Sequence, residues 1–159
     1  MLSVKQKYKG FYFFITTGLV VTALACGGGC YNNRIRPPRN IASHVIVVEA
    51  TGYCNCGKCC GWEKSFFGLG RPVYSTGVNK GKPKKVGVTA SGTHAKHGTI
   101  AADTSKLPFG TVIYIPGYGY GRVEDRGGAI KGTKIDLWFS SHEKALKWGR
   151  KKMKVRVWR

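Results

Sequence analysis

Asp103, Asp125 and Asp136 are the only aspartates in the chain, and they fall within one C-terminal stretch of a protein with 27 lysines and arginines against seven acidic residues. Carboxylates brought together can share acid–base work: one stays ionised while its neighbour, in the field of that charge, holds its proton. Alternation along a strand turns Asp136 away from Ile135 and Leu137, so with that apolar pair on the core Asp136 faces a groove. Asp is also frequent in Gly-rich turns. That alternative weighs most for Asp125, which stands just before Gly127 and Gly128.

A second group with chemical potential is Cys54, Cys56, Cys59 and Cys60, packed into seven residues. The Cys56-x-x-Cys59 spacing suits a structural metal such as Zn²⁺. In an oxidising compartment two disulfides are the favoured reading, with the metal as the alternative. Either would pin a loop without implying catalysis. A cysteine nucleophile is disfavoured, because no Asn or Asp is near His94 or His97 in sequence to orient an imidazole. None of the four histidines, His142 included, has a ligand spacing with another.

These residues need elements to position them. Runs rich in β-branched and aromatic residues predict short strands at 45–51, 99–102, 111–115, 121–124, 134–139 and 154–158, separated by Gly or Pro turns. The class is mainly β, and six short strands suggest a small closed barrel. One short C-terminal helix is expected. Ser140 and Glu143 have capping-box spacing, Ala145, Leu146 and Trp148 supply an apolar face, and Gly149 stands at the stop. Residues 62–86, rich in Gly, Lys and Pro, read as a long surface loop, and the stretch 54–86 as a Cys-rich insertion.

The N-terminus bears on location. Lys5, Lys7 and Lys9 precede an uncharged apolar run that ends in Ala23-Leu24-Ala25, the layout of an export signal over residues 1–25. The run is shorter than the roughly 20 residues a spanning helix needs, so an uncleaved anchor is second choice. Cys26 follows at once and is a candidate for lipidation, although Ala23 stands where a lipobox has a large aliphatic residue. Residues 26–43, with three glycines and a Pro pair, read as a tether, and the folded domain as 44–159. The expected location is the bacterial cell envelope, either secreted or lipid-anchored.

The net charge is +20, and residues 1–40 contain no acidic residue, so the folded part stays strongly basic after any processing. A polyanionic partner follows, and export excludes nucleic acid and favours anionic wall polymers. Membrane contact is expected only through an N-terminal lipid or signal anchor. No cofactor is called for.

Residues 45–159 resemble the 3D (Asp-Asp-Asp) domain, related to the membrane-bound lytic transglycosylase A family. The resemblance is carried by Glu124-Asp125-Arg126-Gly127-Gly128-Ala129-Ile130-Lys131-Gly132, followed by Ile135-Asp136-Leu137. It implies a double-psi β-barrel acting on peptidoglycan glycan strands as a lytic transglycosylase. Such an enzyme cleaves between N-acetylmuramic acid and N-acetylglucosamine to leave a 1,6-anhydro end. The resemblance makes Asp136 the acid/base and Asp125 and Asp103 its supporting pair, with Thr89 and, less closely aligned, Lys96 as substrate-binding candidates. Its alternative is a non-catalytic, secreted peptidoglycan-binding module.

Overall fold

The computed structural model describes residues 35–159, and residues 35–43 contain neither helix nor strand. The export segment, Cys26 and the first part of the expected tether lie outside the described residues.

The folded part is built on a closed six-stranded barrel in the order β1-β7-β4-β6-β5-β8. Its longest strand is β1 (His44–Tyr53), which opens with the β-branched run Val45-Ile46-Val47-Val48. Val48 and Ala50 point inward and are buried, whereas Val45 and Val47 are exposed, the alternation of a strand with one wet face. β1 runs antiparallel to β8 (Lys151–Trp158) and, over Glu49 to Tyr53, parallel to β7 (Lys134–Trp138). β7 runs antiparallel to β4 (Thr99–Ala102), which is parallel to β6 (Gly119–Asp125). β5 (Val112–Ile115) closes the ring between β6 and β8.

The barrel fills itself. Val48, Ile100, Ile113, Ile115, Val123, Ile135, Leu137, Val155 and Val157 are all at most 1% exposed and form one cluster. At about 25 cal/mol per Å² of buried apolar surface, this cluster is the main stabilising element of the fold. Every expected strand is present, with β1, β6 and β8 longer than the sequence suggested.

Two details differ from expectation. The helix, α2 (His142–Trp148), is capped by Ser141, whose hydroxyl accepts from Lys144 N at 3.2 Å, and not by Ser140. Ala145 is buried but Leu146 is 67% exposed, so the packed face is narrower than the apolar residues imply. Ala145 meets β1 at Gly52, where an added Cβ would be 3.0 Å from the Ala145 carbonyl oxygen. Residues 62–86 contain a small two-stranded antiparallel sheet, β2 (Trp62–Lys64) with β3 (Pro72–Tyr74). Phe66, Phe67 and Leu69 at its tip are exposed. The polar, Gly-rich composition conceals these three-residue strands because they are held by turns more than by core. A single turn of helix, α1 (Gly57–Cys60), precedes them.

Candidate active site

Asp125 and Asp136 meet across one small residue. β4 lies between β6 and β7, and Ala101 on β4 is the register partner of both Asp125 and Asp136. Residues paired in register present their side chains to the same face, so the two carboxylates flank the Ala101 methyl. This pairing depends on a bulge: Ile100 pairs with Val123, but Ala101 pairs with Asp125, skipping Glu124. The bulge re-aims the chain. Glu124 is 7% exposed and accepts from Thr99 Oγ1 at 2.8 Å. Asp125 turns into a cavity of about 490 Å³ lined also by Tyr53, Asn55, Cys60, Lys84, Thr89, Ala101 and Asp136.

The two aspartates are held differently. Asp125 accepts from Tyr53 Oη at 3.2 Å and from the backbone N–H groups of Ala90 and Arg126, each at 2.9 Å. Burial, together with the charge of Asp125, raises the Tyr53 pKa far above its ordinary value, so its phenol stays a donor. Among the described residues Asp136 has a single side-chain partner, Thr51 Oγ1, at 2.7 Å. Ile135 and Leu137 beside it are fully buried, as the alternation required. Burial raises the Asp136 pKa, with the nearby Asp125 charge adding to the shift and the Thr51 bond opposing it. Asp136 is thus the carboxyl group whose surroundings favour the protonated form.

Thr51 suits both protonation states. Its hydroxyl is 2.7 Å from Asp136 Oδ1 and 3.4 Å from the Ile135 carbonyl. When Asp136 is ionised the hydroxyl donates to it; when Asp136 is protonated the hydroxyl can accept and turn its own hydrogen to Ile135.

Asp103 stands apart. It accepts from Ser105 N at 3.1 Å, Ser105 Oγ at 2.7 Å and Gly132 N at 2.8 Å. These bonds, led by that from Gly132, lower its pKa to about 2. Asp103 lines a neighbouring cavity that shares Arg126, Gly127, Gly128 and Ile130 with the first. It therefore acts on the loop between β6 and β7. Gly132, which it anchors, adopts a φ of 65°, a conformation that favours glycine.

Thr89 lines the cavity, but its hydroxyl is engaged in a turn with Thr93 N and O, both at 3.1 Å. Its contribution is to shape the segment whose Ala90 N–H holds Asp125. Lys96 is exposed and outside the cavity lining, where the lysines are Lys84 and Lys85. Lys84 donates to the Cys60 carbonyl, and its ammonium lies 4.4 Å from the centre of the Tyr74 ring. Sequence reasoning missed Thr51, Tyr53 and Lys84. The first two were findable in principle, since they sit two apart on β1, on the face that Asp136 shares.

The four insertion cysteines are free thiols, with no disulfide among them. Cys54, Cys56 and Cys59 converge on His142, while Cys60 Sγ turns away to donate to the Cys54 carbonyl at 3.1 Å. Burial pushes the Cys60 thiol up to about 11, which removes it as a nucleophile near neutral pH.

The family model of the 3D domain matches residues 98–159, which hold all three aspartates and none of the insertion cysteines. The chain is 39% identical over 115 residues to YabE of Bacillus subtilis, a protein provisionally named for cell wall shaping, covering 71% of this chain and 23% of that protein. It is 41% identical over 117 residues to YocH of the same organism, named a cell wall-binding protein, covering 73% and 33%. The chain thus spans about a quarter to a third of the length of these relatives. Among solved structures it is similar to two of the E. coli lytic transglycosylase MltA. One is 24% identical with a TM-score of 0.36, covering 44% of this chain and 26% of that one. The other is 22% identical with a TM-score of 0.38, covering 49% and 29%.

Proposed function

From a chain that carries a 3D domain at residues 98–159, we propose a peptidoglycan lytic transglycosylase of the bacterial cell envelope, with Asp136 as its acid/base. One observation carries the reading: a half-buried carboxyl group with a raised pKa faces a cavity of about 490 Å³ and shares a register partner with a second carboxylate. The volume is that of an ordinary small-ligand site.

Protonated Asp136 donates its proton to the oxygen linking N-acetylmuramic acid to N-acetylglucosamine as the bond from C1 breaks. The resulting carboxylate then takes the proton of the muramic acid C6 hydroxyl as that oxygen bonds to C1. The products are a new N-acetylglucosamine end and a 1,6-anhydromuramic acid, no water is consumed, and Asp136 is again protonated. Asp125 stabilises the positive charge that develops at C1 and keeps the Asp136 pKa high. Its three donors commit it to this role and disfavour it as a nucleophile, which supports a one-acid mechanism over two-carboxylate hydrolysis.

A second reading is a peptidoglycan-binding module that does not cut, favoured by the name of the wall-binding relative and by the +20 charge. Mass spectrometry of the products released from purified peptidoglycan separates the two. Anhydro-muropeptides from the wild type and none from Asp136→Asn support the enzyme. Intact strands that co-sediment with the wild type establish the binding module instead, and reducing muramic acid ends would mean hydrolysis.

A further inference from the structure

Three segments distant from one another in the chain bring four soft or borderline ligand atoms together. Cys54 follows the end of β1, Cys56 and Cys59 flank the start and middle of α1, and His142 is the first residue of α2. One ligand atom from each lies within 4.8 Å of all the others. We propose that these four residues form a tetrahedral Cys₃His site for a structural Zn²⁺ ion.

The distances favour a shared ion over the alternatives. Two sulfurs each about 2.3 Å from one tetrahedral centre lie about 3.8 Å apart, and a sulfur and an imidazole nitrogen about 3.6 Å apart. Cys54 Sγ and Cys59 Sγ are 3.9 Å apart, Cys56 Sγ and His142 Nδ1 3.6 Å, and Cys59 Sγ and His142 Nδ1 3.3 Å. A disulfide needs about 2.05 Å between its sulfurs, and it has no use for an imidazole facing two of the thiols. The local backbone is also that of a thiolate loop. Cys56 Sγ caps α1 by accepting from Cys59 N at 3.5 Å, a bond that strengthens as the sulfur becomes anionic. Gly61 closes the turn at φ 59°, so the Cys-x-x-Cys segment reverses within a few residues. Three thiolates and a neutral imidazole suit Zn²⁺ and not Mg²⁺ or Ca²⁺, which take oxygen ligands. Cys60 is outside the set, its thiol being turned to the Cys54 carbonyl.

Such an ion ties the end of β1 and the insertion to α2. The metal assignment stands independently of catalysis. Its consequence for the cavity, that it fixes the wall bearing Asn55 and Cys60, rests on the function proposed above.

The full chain, purified without chelator, should contain one zinc per molecule by inductively coupled plasma mass spectrometry. Replacement by Co²⁺ should give a thiolate charge-transfer band and the visible bands of a tetrahedral site. His142→Ala should weaken Zn²⁺ binding by ~100-fold or more, since even loss of an outer partner costs 10- to 100-fold. Cys59→Ser should lose the charge-transfer intensity of one thiolate, and Cys60→Ser should change neither content nor spectrum. If His142→Ala or Cys59→Ser simply fails to fold, His142→Cys decides: it should keep one metal per chain and shift the Co²⁺ spectrum to that of four thiolates. A metal-free chain that takes up no Zn²⁺ after reduction overturns the proposal. So does mass-spectrometric mapping of disulfides among the four insertion cysteines, iron in place of zinc, or full zinc retention in both His142→Ala and Cys59→Ser.

Discussion

The two walls of the cavity are built by opposite means. On the barrel side, Asp125, Ala101 and Asp136 are fixed by strand register over a core in which Ile100, Ile113, Ile135 and Leu137 are fully buried. On the insertion side, Asn55, Cys60 and Lys84 depend on turns, a thiol cluster and single polar bonds, such as that from Trp138 Nε1 to Asn55 Oδ1 at 2.8 Å. Between residues 54 and 97 the buried apolar side chains are only Cys54 and Val73, whereas Phe66, Phe67 and Leu69 are exposed. A site with one rigid and one adjustable wall places its charges accurately while leaving the fit to a bulky polymer to the softer side. Damage to the two walls should therefore differ in kind: on the barrel side chemistry fails in a stable fold, and on the insertion side stability and substrate fit fail first.

The largest effect is expected from Asp136→Asn. Transglycosylase activity should fall by ~10²- to 10⁴-fold, the contribution of positioned acid–base catalysis. The same variant should be more stable than the wild type at neutral pH. Because the folded-state pKa of Asp136 is raised, its favourable contribution is complete below the unfolded value and is lost as pH rises through the folded value. Asn, which never ionises, avoids that loss, so Tm should rise by a few degrees at pH 7 and the gain should vanish in acid. A fall in Tm at pH 7 would show that the bonds from Thr51 and the Leu137 backbone outweigh the burial of the carboxylate.

Next in size is Ala101→Leu, which places a branched side chain between the two carboxylates. Activity and peptidoglycan affinity should each drop by roughly 10- to 100-fold, with Tm nearly unchanged because the added atoms enter the cavity and not the core. Loss of fold would mean that Ala101 faces inward.

Removal of metal by a strong chelator tests the softer wall. It should lower Tm by roughly 10 °C or more, on the scale of a tightly bound ion released from a small domain. KM should rise more than kcat falls, since Asn55 and Cys60 shift while Tyr53 and Asp136 stay in register. An equal fall in both kinetic constants would place the metal's influence on the acid itself and erase the distinction between the walls.

Much of the rigid wall was legible in the sequence, and little of the soft one. β-branched runs bounded by Gly and Pro marked all six barrel strands, and the alternation of Ile135, Asp136 and Leu137 assigned Asp136 its face. The bulge at Glu124 was hidden, because two adjacent acids look alike in sequence and only the partner strand determines which one turns outward. Asp103 shares the motif but anchors Gly132, a role that depends on where the loop returns. On the insertion side, His142 follows Cys59 by 83 positions, so no spacing rule could unite them. The three-residue strands β2 and β3 give too short an alternation to be read.

The smallest expected effect is the most diagnostic, because it separates the positioning of Asp136 from its chemistry. Thr51→Val removes the larger of the two bonds that oppose the rise of the Asp136 pKa, leaving that of the Leu137 backbone, and keeps the β-branched shape that β1 favours. Activity should fall only about 10-fold. Since the first step needs protonated Asp136, kcat/KM declines as pH rises through its pKa, and without Thr51 that alkaline limb should move to higher pH. Thr51→Ser, which keeps the hydroxyl, should restore the limb. A limb that moved to lower pH would mean that Thr51 serves the protonated acid by accepting its hydrogen, with its own hydrogen turned to the Ile135 carbonyl. The rigid wall would then hold Asp136 ready to give its proton more than ready to take one back.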